Sequence, residues 1–280
     1  MKIAATVEEI RSAVKAWKKE GLSVGFVPTM GYLHEGHQSL MQKAVSENDR
    51  VVVSIFVNPM QFGPSEDLES YPRDLEKDAS LCEASGVDLI FHPEPKEMYH
   101  SDFSSFVDMH GLTESLCGKS RPAHFRGVCT VVTKLFNIVQ PDCAYFGQKD
   151  AQQLAVIQQM VRDLNLDVTV IGCPIIREAD GLAKSSRNSY LSADERKAAL
   201  VLSQALEVAK QLLANGEQNA AKIRNAISET IQAEPLAKVD YVELVDARTL
   251  QQVDSVERPV LVALAEKKKK TRLIDNFITE

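Results

Sequence analysis

Hydrophobic positions along the 280-residue chain change period several times, and the changes mark out its elements. Thr6 followed by Glu9 reads as a capping box, Val7, Ile10, Val14 and Trp17 then share one helical face, and Gly21 ends the helix. The runs "LSVGFVP" (22–28), "VVVSIFVN" (51–58) and "VDLIF" (87–91) follow, each separated from the next by a helical stretch. That is the pattern of parallel strands buried on both faces. It continues with "FRGVCTVVTKLFNIVQP" as helix, "DCAYFG" as strand, "KDAQQLAVIQQMVRDLN" as helix and "LDVTVIGCPII" as strand. The expectation is an α/β fold: a Rossmann-like open parallel sheet running to about residue 176, with ligands at the strands' carboxyl ends.

Beyond that point the texture changes. Residues 192–232 read as two helices joined at Asn215-Gly216, and "VDYVELVD", "PVLVALAE" and "TRLIDNF" read as three strands. The chain therefore divides into residues 1–176 and a smaller α+β C-terminal domain, 177–280. Lys267–Lys270, between two of those strands, reads as a solvated hairpin turn, with a phosphate or partner contact as the alternative.

Composition narrows the function. A net charge of −7, from 32 Lys and Arg against 39 Asp and Glu, supplies no basic footprint for a nucleic-acid groove. Cys82, Cys117, Cys129, Cys143 and Cys173 are odd in number and lack CxxC spacing, which argues against a disulfide framework or a structural zinc cluster and fits a reducing cytoplasm. Charges interrupt the first twenty residues, so a signal peptide is not expected, and no later run approaches membrane-spanning length.

Candidate chemistry centres on "FVPTMGYLHEGHQSL", residues 26–40, readable as a metal site, a phosphate site or a turn. It leaves the first long strand and enters the helix "HQSLMQKAVSEN", so His34 and His37 lie around an amino terminus that attracts anions. Gly31 and Gly36 let backbone approach a bulky ligand. The histidine spacing is wrong for the zinc-protease helix, and no third ligand is apparent. "YFGQKD" puts Lys149 just past a strand end, and "KSSRN" (184–188) packs Lys184, Ser185, Ser186 and Arg187 into a loop. Each stretch alone could be a surface turn. Together they describe a nucleotide clamp that stabilises charge during attack at an α-phosphorus.

These stretches stand in order with others over nearly the full chain: "PTMGYLHEGH", "FVNPMQF", "YPRDLEKD", "RPAHFRGV", "FGQKDAQQ", "DGLAKSSRNSYLS" and "TRLIDN". The sequence resembles the pantothenate synthetases (pantoate–β-alanine ligases), within the nucleotidyltransferases marked by His-x-Gly-His, here His34-Glu35-Gly36-His37. The resemblance implies an acid–amine ligase of coenzyme A biosynthesis. Pantoate and ATP give pantoyl adenylate and pyrophosphate, and β-alanine then displaces AMP to give pantothenate. It further implies Mg2+, a cytoplasmic homodimer joined through the larger domain, and a small domain that closes over the site.

Residue by residue, the resemblance assigns Met30, Gly31, Tyr32, Leu33, His34, Glu35, Gly36 and His37 to the first ATP segment, with His37 as proton donor. Gly147, Gln148, Lys149 and Asp150 form the second segment, Ile176 meets adenine, and Lys184, Ser185, Ser186 and Arg187 form the third. His34, His37, Lys149, Ser185 and Arg187 are the catalytic candidates. Gln61 and Gln153 match the pantoate-contacting glutamines, with Asn58 as a neighbour. Arg121 and His124 are either anion contacts or caps of the following helix. Asp78 is the candidate Mg2+ ligand, because some relatives carry adjacent aspartates where this chain has Lys77-Asp78.

Physically, a histidine at that helix start suits phosphate stabilisation better than base catalysis, since an attacking carboxylate has no proton to lose. Two departures stand out: Lys184, where the family usually has Met or Leu, and the Lys267–Lys270 run, which replaces a shorter turn. The glutamines oppose a nucleotidyltransferase that keeps an adenylylated product, and the intact clamp opposes a scaffold with a dead site. Val128, Val131 and Leu135 form an apolar stripe suited to core or to an interface.

Overall fold

The computed structural model describes residues 1–64, 66–268 and 271–279. The Thr6–Glu9 capping box forms, helix α1 (Val7–Lys19) follows it, and Gly21 turns the chain at φ 76°. Ahead of it lies a strand that the pattern did not announce, β1 (Lys2–Ala4). Three residues, two of them exposed, carry too little periodicity to be read.

The chain then alternates β2 (Val24–Thr29), α2 (Glu35–Glu47), β3 (Arg50–Ile55), α3 (Leu75–Ala84), β4 (Leu89–Phe91), α4 (Pro95–Met98), α5 (Leu116–Ser120), α6 (His124–Val139), β5 (Cys143–Gly147), α7 (Ala151–Asp163) and β6 (Thr169–Cys173). All six strands are parallel, in the order β1-β4-β3-β2-β5-β6. Both faces are covered: Phe26 and Val52 join one apolar cluster, Val27, Val51 and Val53 another. Such double burial is why these strands read as continuous apolar runs.

The order reverses between β2 and β5. These strands pair only at Gly25–Cys143 and Phe26–Ala144, whereas β2 and β3 stay in register from Val24–Arg50 to Thr29–Ile55. Beyond Phe26 the two carboxyl ends separate, and a crevice opens there. Val128, Val131 and Leu135 of α6 are buried beneath it, which resolves that stripe as core.

The C-terminal part carries α8 (Ala193–Ala198), α9 (Val201–Ala214), α10 (Ala220–Gln232) and the antiparallel sheet β7 (Lys238–Asp246), β8 (Val260–Lys268) and β9 (Thr271–Ile278). Two helices were expected over 192–232, but the first breaks at Ala199–Leu200. No Gly or Pro marks that break, and the apolar run continues across it. The lysine run also departs from expectation. Lys267 pairs with Asp240 at 2.9 Å, and Lys268 is buried as a strand residue with Nζ 3.2 Å from Glu266 Oε2. Lys269 and Lys270, the rest of the expected turn, lie outside the described residues.

Helix α6 meets the Pro59–Gln61 turn closely at Gly127, where an added Cβ would lie 2.6 Å from Gln61 Cα and closer still to the Met60 carbonyl oxygen. Gly127→Ala must therefore push backbone apart, and denaturant unfolding should show a loss of about 1–3 kcal/mol. Unchanged stability would contradict this packing.

Candidate active site

Beyond β2 the chain makes a left-handed turn, with Gly31 at φ 83° and Tyr32 at φ 52°. Asp78 of α3 holds this turn: its carboxylate accepts from Tyr32 N at 2.8 Å and Leu33 N at 2.6 Å. Asp78 is 1% exposed, and burial raises its pKa against the lowering effect of those two donors. The candidate metal ligand is thus engaged in bracing backbone. No group of three or more His, Cys, Asp or Glu side chains able to hold a metal ion occurs among the described residues.

His34 caps α2, its Nδ1 accepting from Gly36 N at 3.1 Å, while His37 Nδ1 accepts from His34 N at 3.3 Å. With both Nδ1 atoms accepting, each ring carries its proton on Nε2. The rings lie tilted at 43° to each other with centroids 4.2 Å apart, and both line the crevice. Burial first, then the Lys149 charge, lowers His34 to about 4. Burial, then His34 and Lys149, takes His37 well below its ordinary value. Both histidines are neutral donors near neutral pH. The two glycines serve close approach within the protein: a Cβ on Gly36 would meet the His34 ring at 2.8 Å, and one on Gly31 would meet Asp78 Oδ2 at 2.9 Å.

The second segment, Gly147–Asp150, leaves β5 and brings Lys149 to the crevice, with Nζ 3.5 Å from Asp150 Oδ2. The third comes from the other side. Ser185 caps the short Ser186–Tyr190 turn by accepting from Arg187 N at 3.3 Å, and Ser186 Oγ donates to Tyr32 O at 3.2 Å, joining the third segment to the first. Lys184 Nζ lies 3.1 Å from Glu35 Oε2, and its backbone N donates to the Ile176 carbonyl at 2.9 Å. Ile176, Lys184, Ser185, Ser186 and Arg187 all line the crevice.

An amide cluster also borders the crevice. Asn58 Nδ2 donates to Gln61 Oε1 at 3.0 Å and to Gly127 O at 3.1 Å, and Asn58 Oδ1 accepts from Tyr99 Oη at 2.7 Å. Gln61 Nε2 lies 3.2 Å from Met30 Sδ. Gln153 lines the crevice from α7, while its neighbour Gln152 is turned away and bonded to Cys117 N, Leu112 O and Ser115 O. His124 Nδ1 donates to Gln61 O at 2.9 Å, and Arg121 reaches the same carbonyl at 3.4 Å. Neither caps α6, whose N-cap residue Ala123 makes no side-chain cap bond. Burial, then Arg121, lowers His124 to about 4.

Sequence reasoning missed two carboxylates. Glu66 grips Arg121 through both oxygens, and Asp67 accepts from Arg187 Nε at 3.0 Å and Nη2 at 2.9 Å, with Tyr71 beneath the guanidinium. Burial works to raise both carboxyls, yet their arginines hold each below its ordinary value. It also missed Asn276, which donates to the carbonyls of Gln148 and Lys149. The signal available for Asn276 was the quoted stretch "TRLIDN"; for Glu66 and Asp67 it was an acidic run between two quoted stretches.

A model of the family described as pantoate-beta-alanine ligase matches residues 2–278. The pantothenate synthetase of Clostridium acetobutylicum is 60% identical over 277 residues, 99% of each chain, and that of Enterococcus faecalis is 62% identical over 280 residues, covering 100% of this chain and 99% of its own. Among solved structures, the pantothenate synthetase of Thermus thermophilus superposes with a TM-score of 0.94 at 46% identity, over 99% of each chain. The pantoate–β-alanine ligase of Francisella tularensis, complexed with β-γ ATP and β-alanine, gives 0.80 at 36% identity, over 99% of this chain and 97% of its own. With this agreement running from one end of the sequence to the other, the chain belongs to the pantoate–β-alanine ligase family.

Proposed function

We propose that the chain condenses pantoate with β-alanine at the expense of ATP, forming pantothenate, AMP and pyrophosphate by way of pantoyl adenylate. The observation that carries this reading is one crevice lined jointly by His34, His37, Lys149, Lys184, Arg187, Gln61 and Gln153. In the first step a pantoate carboxylate oxygen bonds to the α-phosphorus and the bond to pyrophosphate breaks. Lys149, Lys184, Arg187 and the Nε2–H groups of His34 and His37 meet the charge that gathers on phosphate oxygens. In the second step the free amine of β-alanine attacks the acyl carbon, AMP leaves, and the amine sheds a proton. Gln61 and Gln153 hold the hydroxy acid through both, since an amide can pair with a hydroxyl and a carboxylate oxygen at once.

ATP enters as its magnesium complex, the ion riding on phosphate oxygens as part of the substrate. Glu66 and Asp67 occupy Arg121 and Arg187 in the resting protein, and substrate anions take their place. We further place the chain as a homodimer in the cytoplasm, a reading supported by family membership and by five free cysteines; light scattering tests the dimer. No helix among the described residues is long and apolar enough to cross a membrane. AMP release dependent on both pantoate and β-alanine tests the function, and AMP release without either acid or amine would refute it.

Gln61→Ala and Gln153→Ala should each raise the pantoate KM by roughly 10–100-fold, the size of one or two lost buried hydrogen bonds, and leave the ATP KM nearly unchanged. Equal losses for both substrates would show the two pockets to be misplaced.

The histidines also set a pH dependence. His34 and His124, lowered to about 4 from 6.5, and His37, held well below its ordinary value, bind fewer protons when folded than when unfolded throughout that window. Stability is therefore full above the unfolded pKa and declines as pH falls from about 6.5 toward 4. Asp78, shifted upward, acts in the opposite sense across the carboxylate range. Urea unfolding at a series of pH values should show this decline, with a shallower slope for His124→Gln. A flat profile from pH 7 to 5 would contradict it.

A further inference from the structure

Strand β9 ends the small sheet, far in sequence from the nucleotide segments, yet two adjacent residues on it reach both of the cationic ones. Asn276 is 5% exposed, and its Nδ2 donates to Gln148 O at 3.1 Å and to Lys149 O at 2.8 Å. Asp275, 2% exposed, accepts from Arg177 Nη1 at 2.6 Å and Nη2 at 2.8 Å, and also from Asn276 N at 2.8 Å. Arg177 Nη1 donates onward to Gly181 O at 3.0 Å, and Arg177 forms an antiparallel bridge with Ala183. That bridge leads directly into Lys184–Arg187, whose first backbone N–H is fixed to Ile176 O. One dipeptide thus holds the turn carrying Lys149 and the base of the hairpin carrying Lys184 and Arg187.

The geometry points to Asp275 and Asn276 as positioning residues that set the Lys149 segment and the Lys184–Arg187 segment relative to each other for adenylate formation. This rests on the proposed function, in which both segments meet phosphate charge. A lysine ammonium sits on a flexible four-carbon stem, so the direction of its Cα–Cβ bond decides where the charge can go. Lys149 lies in a short Gln148–Asp150 turn with no side-chain cap, between a strand and a helix. Fixing two successive carbonyls of that turn with one amide removes its freedom to pivot. The Asp275–Arg177 pair does the same for the opposing hairpin, and the Asn276 N to Asp275 Oδ1 bond ties the two anchors together. Asn276 meets Lys149 only at its backbone carbonyl, and neither Asn276 nor Asp275 is among the residues lining the crevice, so both act through others.

The test is a double-mutant cycle read by pantoate-dependent AMP formation in the presence of β-alanine. Asn276→Ala should lower kcat by ~10–100-fold, the scale of an ångström-level misplacement of a charged group, with the pantoate KM within about twofold of the parent. In a Lys149→Ala background the same substitution should cost nothing further, because its effect runs through Lys149. Asn276→Asp, which keeps the shape and removes both donated bonds, should match Asn276→Ala. Full activity in folded Asn276→Ala, or an equal additional loss in the Lys149→Ala background, would overturn the inference. So would failure of both Asn276 variants to fold in the absence of substrates, which would make the contact structural. A fully active Lys149→Ala protein would instead refute the assignment of Lys149 on which the proposed function draws, a result distinct from the others.

Discussion

The site depends on one limit to strand pairing. β2 and β5 are neighbours in the parallel sheet but share only two register pairs before their carboxyl ends part. The crossover leaving β2 runs toward β3 on one side and the one leaving β5 runs toward β6 on the other, so a crevice opens between the two carboxyl ends. Strand ends deliver part of the crevice lining: the histidine turn from β2, the Lys149 turn from β5, and Pro174, Ile175 and Ile176 just past β6. The apolar floor comes from α6, which lies beneath with Val128, Val131 and Leu135.

Around this gap the protein balances charge. Lys149, Lys184, Arg121 and Arg187 converge on it, each with a carboxylate close by in Asp150, Glu35, Glu66 and Asp67. These pairs are partly exposed, so each contributes little to stability by itself. Their larger effect is to offset the positive charge that gathers at the crevice. The histidines follow a different logic. Burial beside Lys149 keeps them uncharged, which leaves directional Nε2–H donors where charged rings would add to the crowding of cations. Asp78 completes the arrangement by holding the turn from which both histidines project.

What could be read from the sequence was local. The alternation of apolar runs and helical faces gave the parallel sheet, and contiguous stretches carried the three clamp segments and the glutamines. Such features need only neighbours along the chain. The features that escaped reading are contacts between distant positions: Asp67 with Arg187, Glu66 with Arg121, and Asn276 with Lys149. Nothing in the spacing of an acidic run says which arginine it meets. Asp78 and Gly36 were read toward a ligand, and their contacts within the protein's own turn were not, because a carboxylate or a glycine at such a loop has the same local signature for either use. Lys268 was hidden by its company, since a run of lysines looks solvated until a strand carries one of them inward beside Glu266.

The central claim is that a single crevice activates the acid before the amine takes part. The most direct measurement is exchange of labelled pyrophosphate into ATP, with magnesium and pantoate present and β-alanine withheld. The account predicts exchange that requires pantoate and proceeds without β-alanine, because the adenylate and pyrophosphate form and re-form in place. Exchange that appears only when β-alanine is added would contradict it.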